Sequence, residues 1–389
     1  MVDIVSFVRN SDYDLPGLIE SLRRSVKLCG FNLADVAGKK VLLKPNLLGA
    51  YPPERGITTN PDFVCAAAIV FREAGATVSI GDSPNGIFDI DTCWERSGLR
   101  EACKKSGARE IHFESCGSTK VGTLNISKAI FDADFVINLP KFKTHSLTMM
   151  TLAVKNLFGC VCGVQKARLH KKHFRHGEFA NLIVRIANAV KPALTIIDGI
   201  TAMDENGPSS GRLLNLSLIA ASTNMHLLDE RCSRLVGIDP LEVPTLQEAL
   251  KLGLWKPDSS CEIVGDDMEE IRRIEFRRPA TFKRKIFRFR FFKLLEHLIW
   301  SNLSSQPEIS DEKCKICMFC VRACPVEAIK IPSGAKKPDI DEKECIQCMC
   351  CHEVCPHAAI DLKESLLIRL GRWYHGLTKG AGKSKCDEN

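Results

Sequence analysis

The strongest constraint on this chain is a cysteine pattern that occurs twice within residues 314–355. Each copy has the spacing C-x2-C-x2-C-x3-C-P. Three cysteines two residues apart can wrap a tight loop around one metal group, while the fourth cysteine, before proline, points away from it. Zinc sites prefer two separated pairs of ligands, and disulfide frameworks belong to small secreted chains. Both alternatives therefore explain the pattern poorly.

The spacing resembles that of bacterial-type ferredoxins, in which the fourth cysteine of each motif ligates the cluster of the other motif. We therefore expect two [4Fe–4S] clusters. The ligands of one are Cys314, Cys317, Cys320 and Cys355, and those of the other are Cys345, Cys348, Cys351 and Cys324. Cys350 is expected not to be a ligand, because using it instead of Cys351 breaks both neighbouring spacings. Crosswise ligation would stabilise a domain that has little apolar core.

Length and composition predict more than one domain. A chain of 389 residues with 45% hydrophobic residues can bury a large core. It has no signal-peptide pattern and no run of 18 apolar residues, which predicts a reducing, cytoplasmic location. We divide it into an α/β domain (1–262), a basic amphipathic linker (263–304), a small α+β two-cluster ferredoxin-like domain (305–364) and a C-terminal tail (365–389).

The first 262 residues alternate short β-rich runs with helix-like stretches, which predicts an α/β domain with a mainly parallel sheet. Strands are predicted at residues 3–8, 40–43, 77–80, 135–139, 194–197 and 216–221. Helices are predicted at residues 15–29, 61–74, 91–106, 147–158, 178–190 and 225–236.

Polar residues follow several of these strands, and ligands of open α/β sheets bind at the carboxyl ends of the strands. We predict a pocket there for an anionic ligand such as a carboxylate or phosphate. The candidate catalytic residues are His145, Lys141 and Lys155, with His145 as proton donor or acceptor. The candidate ligand-binding residues are Lys44, Asn46, Asp82, Ser83, Lys143, Asn156 and Asp198. The alternative is that the lysines are solvated and the Gly-Asp-Ser-Pro turn is only a helix cap.

Several of these segments carry a family resemblance. The runs KPN at 44–46, GDSP at 81–84, NLPK at 138–141, KTH at 143–145 and TLAVKNLFG at 151–159 resemble the family called domain of unknown function 362. The resemblance covers roughly residues 40–250. Members of that family often carry a two-cluster ferredoxin domain, so the resemblance supports the architecture and implies little about the reaction.

Three further segments carry open alternatives. Cys160 and Cys162 form a C-x-C in a glycine-flanked turn, which is a redox pair, an additional metal-binding group or two structural thiols. The His- and Lys-rich stretch 168–176 is either a lid that carries cations or an exposed loop. The Gly/Pro/Ser-rich stretch 204–211 predicts a flap over the strand ends.

The net charge of +7 lies in one segment. Residues 272–300 contain ten basic and two acidic residues, so the rest of the chain has a net charge of −1. Within it, residues 283–300 form a basic helix with an aromatic stripe, which fits internal or partner docking or peripheral contact with an anionic membrane. We do not expect nucleic acid as a partner, because no recognition motif accompanies the charge.

We therefore expect an iron–sulfur redox protein that transfers electrons through two [4Fe–4S] clusters, to or from an anionic ligand of the α/β domain. The alternative is a non-catalytic electron carrier or redox-sensing docking module. A redox partner protein is expected in both cases. No G-x-G-x-x-G run follows a strand, so a nicotinamide cofactor is not indicated.

Overall fold

The computed structural model describes residues 2–163, 165–282, 306–335 and 337–363, and its first part is an α/β domain. In chain order its elements are β1 (Asp3–Arg9), α1 (Leu15–Leu28), β2 (Lys40–Pro45), α2 (Pro61–Glu73), β3 (Thr77–Asp82), α3 (Ile90–Arg96), α4 (Leu99–Ser106), β4 (Arg109–His112), β5 (Ser118–Val121), β6 (Leu124–Ser127), α5 (Lys128–Asp132), β7 (Phe135–Leu139), β8 (Lys141–His145), β9 (Met149–Met150), α6 (Leu152–Asn156), α7 (Gln165–Lys172), α8 (His176–Val190), β10 (Leu194–Asp204), β11 (Arg212–Ser222), α9 (Met225–Leu235), α10 (Pro244–Lys251), β12 (Cys261–Gly265) and α11 (Glu269–Arg272).

The strands form one large sheet in the order β12-β1-β11-β10-β7-β2-β3-β4, and β8 and β9 attach beside β10. Along this order every pairing is parallel except the two that β11 makes, which confirms the predicted fold class. Strand β12 pairs with β1 beyond residue 262, so the sheet extends past the predicted domain boundary.

Helices cover both faces of the sheet, because each presents an apolar stripe to it. One layer contains Leu18 of α1 and Phe63 of α2. The other contains Phe179 of α8, Leu227 of α9 and Leu246 of α10.

The predicted strands are all present, but three predicted segments differ. The helix predicted at 91–106 is interrupted before Gly98, whose backbone is left-handed with φ 76°. The helix predicted at 147–158 is instead β9, the short α6 and a 3-10 turn. The segment Lys141–His145, expected only as polar residues that follow a strand, is itself strand β8 and pairs with β10.

The C-terminal domain consists of β13 (Gln306–Ile309), α12 (Phe319–Ala323), β14 (Ile329–Lys330), β15 (Asp339–Ile340), α13 (Cys350–Val354) and β16 (Ile360–Lys363). β13 pairs antiparallel with β16, and β14 with β15. Its small core combines isoleucines with motif cysteines, as expected for a domain that depends on metal–sulfur bonds.

The predicted helix at 283–300 and the predicted tail at 365–389 lie outside the described residues. Within the described residues, no helix has both the length and the apolar content needed to cross a bilayer.

Candidate functional site

Neighbouring strands bring the predicted site residues to one region of the sheet. In the strand register Lys44 of β2 lies opposite Asn138 of β7, and Lys141 of β8 lies opposite Asp198 of β10. All ten predicted catalytic and ligand-binding residues are buried, so the solvated-lysine alternative does not describe them. We call this set the polar cluster: Lys44, Asn46, Asp82, Ser83, Lys141, Lys143, His145, Lys155, Asn156 and Asp198.

Lys44 and Asp82 form a fully buried ion pair in the polar cluster. The ammonium lies 2.8 Å from the carboxylate, and the two side chains are 0% and 2% exposed. Asp82 also accepts hydrogen bonds from the backbone amides of Leu47, at 2.7 Å, and Ser83, at 2.8 Å. Gly159 packs so closely on this pair that a Cβ there would clash with both charged groups. Close packing and complete pairing hold the two charges in one geometry.

Three asparagines and Lys143 form a second network. Asn156 bridges Asn138, at 2.8 Å, and Asn46, at 3.1 Å. The Lys143 ammonium donates to Asn46 at 2.8 Å and to the carbonyl of Ile57. Burial, together with the nearby Lys155 ammonium, holds the pKa of Lys143 well below its ordinary value. Lys143 therefore lies where an added anion would stabilise its charged form.

Lys141 is already paired within the α/β domain. Its ammonium lies 2.7 Å from the Asp198 carboxylate and 2.8 Å from the hydroxyl of Tyr13. The Tyr13 hydroxyl donates to Asp198 at 2.8 Å, and Asp198 also accepts from the amide of Asn60 at 3.0 Å. This network stabilises the junction of β8 and β10. The catalytic role predicted for Lys141 stays a prediction.

The third candidate catalytic residue, Lys155, differs from the other buried lysines of the described residues: its ammonium has neither a hydrogen bond nor an ion pair. It lies over the ring of Phe158, 5.9 Å from the ring centroid. Its helix, α6, is anchored by Asp229, which accepts from the amides of Ala153, at 2.7 Å, and Val154, at 3.1 Å. Burial lowers the pKa of Lys155, and the nearby Glu353 carboxylate opposes that effect. A fixed helix therefore carries a lysine without a hydrogen-bond partner, whose charged form an added anion would stabilise.

His145 faces a carboxylate from the other domain. Its Nε2 lies 3.1 Å from Oε1 of Glu353 in α13, yet neither atom has an aligned hydrogen-bond partner. Nδ1 accepts from the amide of Leu147 at 3.0 Å, so we infer that the proton of the neutral ring is on Nε2. Burial and the nearby Lys155 lower the pKa of His145 to about 4, so the ring is neutral at pH 7.

Glu353 is charged in this environment. Burial alone would raise the pKa of the Glu353 carboxyl, but His145, Lys155 and His170 together hold it below its ordinary value. His170 lies in α7 with its Nδ1 buried and unpartnered, and its ring packs on Phe179 with centroids 4.5 Å apart. The arrangement thus brings a neutral imidazole donor and an unpaired ammonium toward a single carboxylate.

Helix α7 overlaps the stretch 168–176 and contributes two buried side chains, Lys166 and His170, while the lid hypothesis for that stretch stays a prediction. Lys166 donates to the Ser83 hydroxyl at 2.7 Å and to the carbonyl of Pro84 at 3.0 Å. Burial lowers the pKa of Lys166 to about 8. Lys166 and His170 are four residues apart and both buried, so they lie on one face of α7. That spacing is the signal from which the sequence could have indicated both residues.

Cys160 and Cys162 lie beside the polar cluster as protonated thiols. Burial raises the pKa of Cys160 to about 12 and that of Cys162 to about 11. The Cys162 thiol donates to the carbonyl of Phe113 at 3.4 Å. The redox-pair hypothesis for this C-x-C stays untested.

The two cysteine loops of the C-terminal domain have matching backbones. Left-handed residues flank the second cysteine in both motifs, at Ile316 and Met318 and again at Gln347 and Met349. Such conformations are costly for residues other than glycine and persist only where the surroundings impose them. A loop that wraps a metal group imposes this geometry, so the conformation fits cluster binding.

The crosswise ligand assignment fits the positions of the cysteines. Cys355 lines the same small cavity as the three cysteines of the first loop, Cys314, Cys317 and Cys320. The fourth cysteine of each motif also has a matching backbone contact: Sγ of Cys324 accepts from the amide of Ala328, and Sγ of Cys355 from that of Ala359, both at 3.2 Å. Amide hydrogen bonds to the sulfurs are among the features that set the reduction potential of an iron–sulfur cluster.

The two domains are joined by several contacts around α13. Arg55 donates to the carbonyl of Pro356 at 2.8 Å and to that of Ser209 at 3.0 Å. His352 contacts the carbonyl of Asn206 at 2.8 Å. Phe319 packs on Phe88 with ring centroids 5.0 Å apart. The predicted flap at 204–211 therefore contacts the C-terminal domain, and α13 is held against the polar cluster.

These features define the class of protein: a mainly parallel α/β domain joined to a small domain built around iron–sulfur ligands. The family model described as a 4Fe-4S dicluster domain matches residues 313–359, which confirms 4Fe–4S binding. The chain belongs to the family described as domain of unknown function (DUF362), whose model matches residues 41–234. Both parts of the predicted resemblance are confirmed.

A relative and a solved structure are similar to this chain. Thylakoid-associated protein sll1697 of Synechocystis sp. is 36% identical over 260 residues, which span 65% of this chain and 81% of that protein. The lactate racemase apoprotein from Thermoanaerobacterium thermosaccharolyticum matches with a TM-score of 0.40 and 14% identity, over 61% of this chain and 57% of that chain. A structural likeness of this degree indicates nothing about activity.

Proposed function

We propose that this chain is an iron–sulfur redox protein that transfers electrons through two [4Fe–4S] clusters, to or from an anionic organic ligand bound at the polar cluster. The clusters, when bound, supply one-electron transfer. The α/β domain supplies buried cations for the ligand, and His145 presents an N–H group to it. The ten predicted site residues keep their proposed roles, with Lys155 and His145 nearest to the ligand.

The position of helix α13 beside the polar cluster is the main observation in support of this proposal. Glu353 enters the polar cluster two residues after Cys351 and two residues before Cys355. Two residues of chain span at most about 7 Å. Helix α13 and the residue after it therefore bring proposed ligands of both clusters near the cations that would hold the ligand, and electron transfer requires such proximity.

The first test is ligand-dependent thermal stabilisation of the anaerobic protein by acetate, succinate, glycerol phosphate and inorganic phosphate. A ligand at about 100 times its Kd adds about 2.7 kcal/mol to the free energy of unfolding. For a domain of this size that raises Tm by roughly 5–10 °C. Lys155→Ala should abolish the shift, because it removes the unpaired ammonium.

Lys172→Ala is the matched control, because Lys172 is an exposed lysine of the neighbouring helix α7. It should respond as the unaltered chain does. A Lys155→Ala protein with the full shift would contradict the ligand site.

A second candidate function is a non-catalytic electron carrier or redox-sensing docking module. The observation in its favour is that Lys44 and Lys141 already have internal carboxylate partners and that Glu353 already faces His145. In that case the α/β domain serves as a docking platform for a redox partner protein. Absence of any saturable ligand response across the panel would favour this function.

We further infer a cytoplasmic protein that contacts a membrane surface peripherally through residues 283–300. The basic, aromatic composition of that segment supports the inference, as does the printed name of the Synechocystis relative, which describes that protein as thylakoid-associated. The protein should sediment with vesicles of anionic lipid and not with neutral ones, and added salt should release it. Replacing Arg288, Arg290 and Lys293 by glutamate should abolish sedimentation. If it does not, the segment docks on protein instead.

A further inference from the structure

We propose that the Glu353 carboxylate occupies the subsite for the carboxylate group of a small organic acid, which binds by displacing Glu353 from His145. This proposal rests on the proposed function and names the ligand class. Glu353 is 3% exposed and belongs to the C-terminal domain, whereas the groups that it faces belong to the α/β domain. Glu353 is therefore a carboxylate of the C-terminal domain that lies in a site formed by the α/β domain.

The unmet hydrogen-bonding groups around Glu353 suit a ligand. Oε1 of Glu353 and Nε2 of His145 lie 3.1 Å apart without an aligned hydrogen bond, and Nδ1 of His170 is buried without a partner. Buried polar atoms are nearly always hydrogen-bonded in folded proteins, so a poorly aligned contact beside an unpartnered nitrogen is unusual. A tethered side chain cannot adjust its position as freely as a free molecule can. A free carboxylate can therefore align with the same donors better than Glu353 does.

The charges of the α/β domain also favour an anion here. Lys44 and Lys141 have carboxylate partners within the domain, Asp82 and Asp198. Lys143 and Lys155 have none. An isolated buried cation is strongly unfavourable. Glu353 stabilises the charged form of Lys155 most, ahead of Asp82, so a molecule that displaces Glu353 should carry a negative charge as well.

A comparison of the two cysteine motifs indicates that cluster binding does not require a glutamate at the position of Glu353. Glu353 lies two residues after the third cysteine of the second motif, Cys351. The corresponding residue of the first motif is Arg322, two residues after Cys320. Arg322 is exposed and lies over the ring of Phe319. The same loop therefore accepts opposite charges, and the acidic residue is found where the helix faces the polar cluster.

The facing groups favour a carboxylate over a phosphate. They include the neutral imidazole donor of His145 and the Lys155 ammonium, which match the two oxygens of a carboxylate. Phosphates are typically held by arginine forks or by the amides of a helix N-terminus. None of the groups described here around Glu353 is an arginine. The ligand class is accordingly a small organic acid bound through one carboxylate.

The test is chemical rescue in the full chain with its clusters in place, with acetate as the probe. Glu353→Ala should lower Tm, and acetate should restore it in a saturable manner that chloride and phosphate at equal ionic strength do not reproduce. Adding His145→Ala to Glu353→Ala should abolish the rescue. Arg322→Ala, at the corresponding position of the other motif, should show neither the loss nor the acetate effect.

Glu353→Gln provides a second route if the alanine variant loses iron. It keeps the shape of the side chain and removes the competing charge, so acetate should bind about tenfold more tightly than to the unaltered chain. Unchanged or weaker acetate binding in the iron-loaded variants would overturn the proposal. In that case, the proposed function survives if a compound of the first test still raises the Tm of the unaltered chain but not that of the Lys155→Ala protein. If both responses are absent, the proposed function fails as well.

Discussion

A protein that carries both Cys324→Ala and Cys345→Ala is expected to retain about four irons per chain, because crosswise ligation places both cysteines on the same cubane. A protein that carries Cys324→Ala and Cys314→Ala is expected to retain almost none, because each substitution then damages a different cluster. Sequential ligation, with each motif holding its own cluster, predicts the reverse pattern. Iron analysis of anaerobically purified protein therefore distinguishes the two arrangements.

Cys350→Ala is the matched control, since Cys350 is a buried cysteine of the same loop that is not expected to bind iron. It should keep about eight irons, as two cubanes require. Electron paramagnetic resonance gives an independent measurement. The reduced unaltered chain should show spin coupling between two nearby clusters, and each single-cluster variant should lose it. Equal iron contents in the two double variants would contradict crosswise ligation.

Lys44→Met is expected to lower the free energy of unfolding by about 3–5 kcal/mol, the usual effect of removing one partner of a buried ion pair. The Asp82 carboxylate would remain buried without its cation, and the close contact of Gly159 prevents the site from rearranging to admit water. Adding Asp82→Asn should recover part of the loss, because it removes the uncompensated charge. Urea unfolding followed by circular dichroism measures both changes.

The control for this pair is Lys104→Met, which breaks an exposed contact between Lys104 and Glu101 in α4. Exposed pairs typically contribute less than about 1 kcal/mol, so this variant should unfold almost as the unaltered chain does. A Lys44→Met protein as stable as the Lys104→Met protein would show that the buried pair is not a stability determinant. Absence of recovery in the double variant would show that Lys44 acts other than through Asp82.

Short β-rich runs between helix-like stretches were sufficient to find the strands that carry Lys44, Asp82 and Asp198, because β2, β3 and β10 are buried almost continuously. Strand β8 was missed for a physical reason. Its five residues are all buried, yet three of them are Lys141, Lys143 and His145. A pattern that recognises burial by apolar side chains cannot detect a strand whose buried side chains are charged.

Glu353 and Tyr13 were missed for a different reason. Each lies far along the chain from the residues it contacts, and each depends on packing between elements that no local pattern specifies. Glu353 in particular reaches His145 only because α13 docks against the α/β domain. The cysteine spacing, in contrast, is a local signal that encodes its own geometry, so the iron–sulfur domain could be predicted in more detail than the site it adjoins.

The position of α13, which contains Cys351 and ends directly before Cys355, also has a consequence for the maturation of the protein. Contacts such as those of His352 with Asn206 and of Arg55 with Pro356 hold this region without metal, and sulfur–iron bonds at Cys351 and Cys355 would fix it further. A newly synthesised chain without iron should therefore hold Glu353 against His145 less firmly. The iron-loaded and iron-free forms should accordingly differ in how readily a protease reaches the surrounding loops.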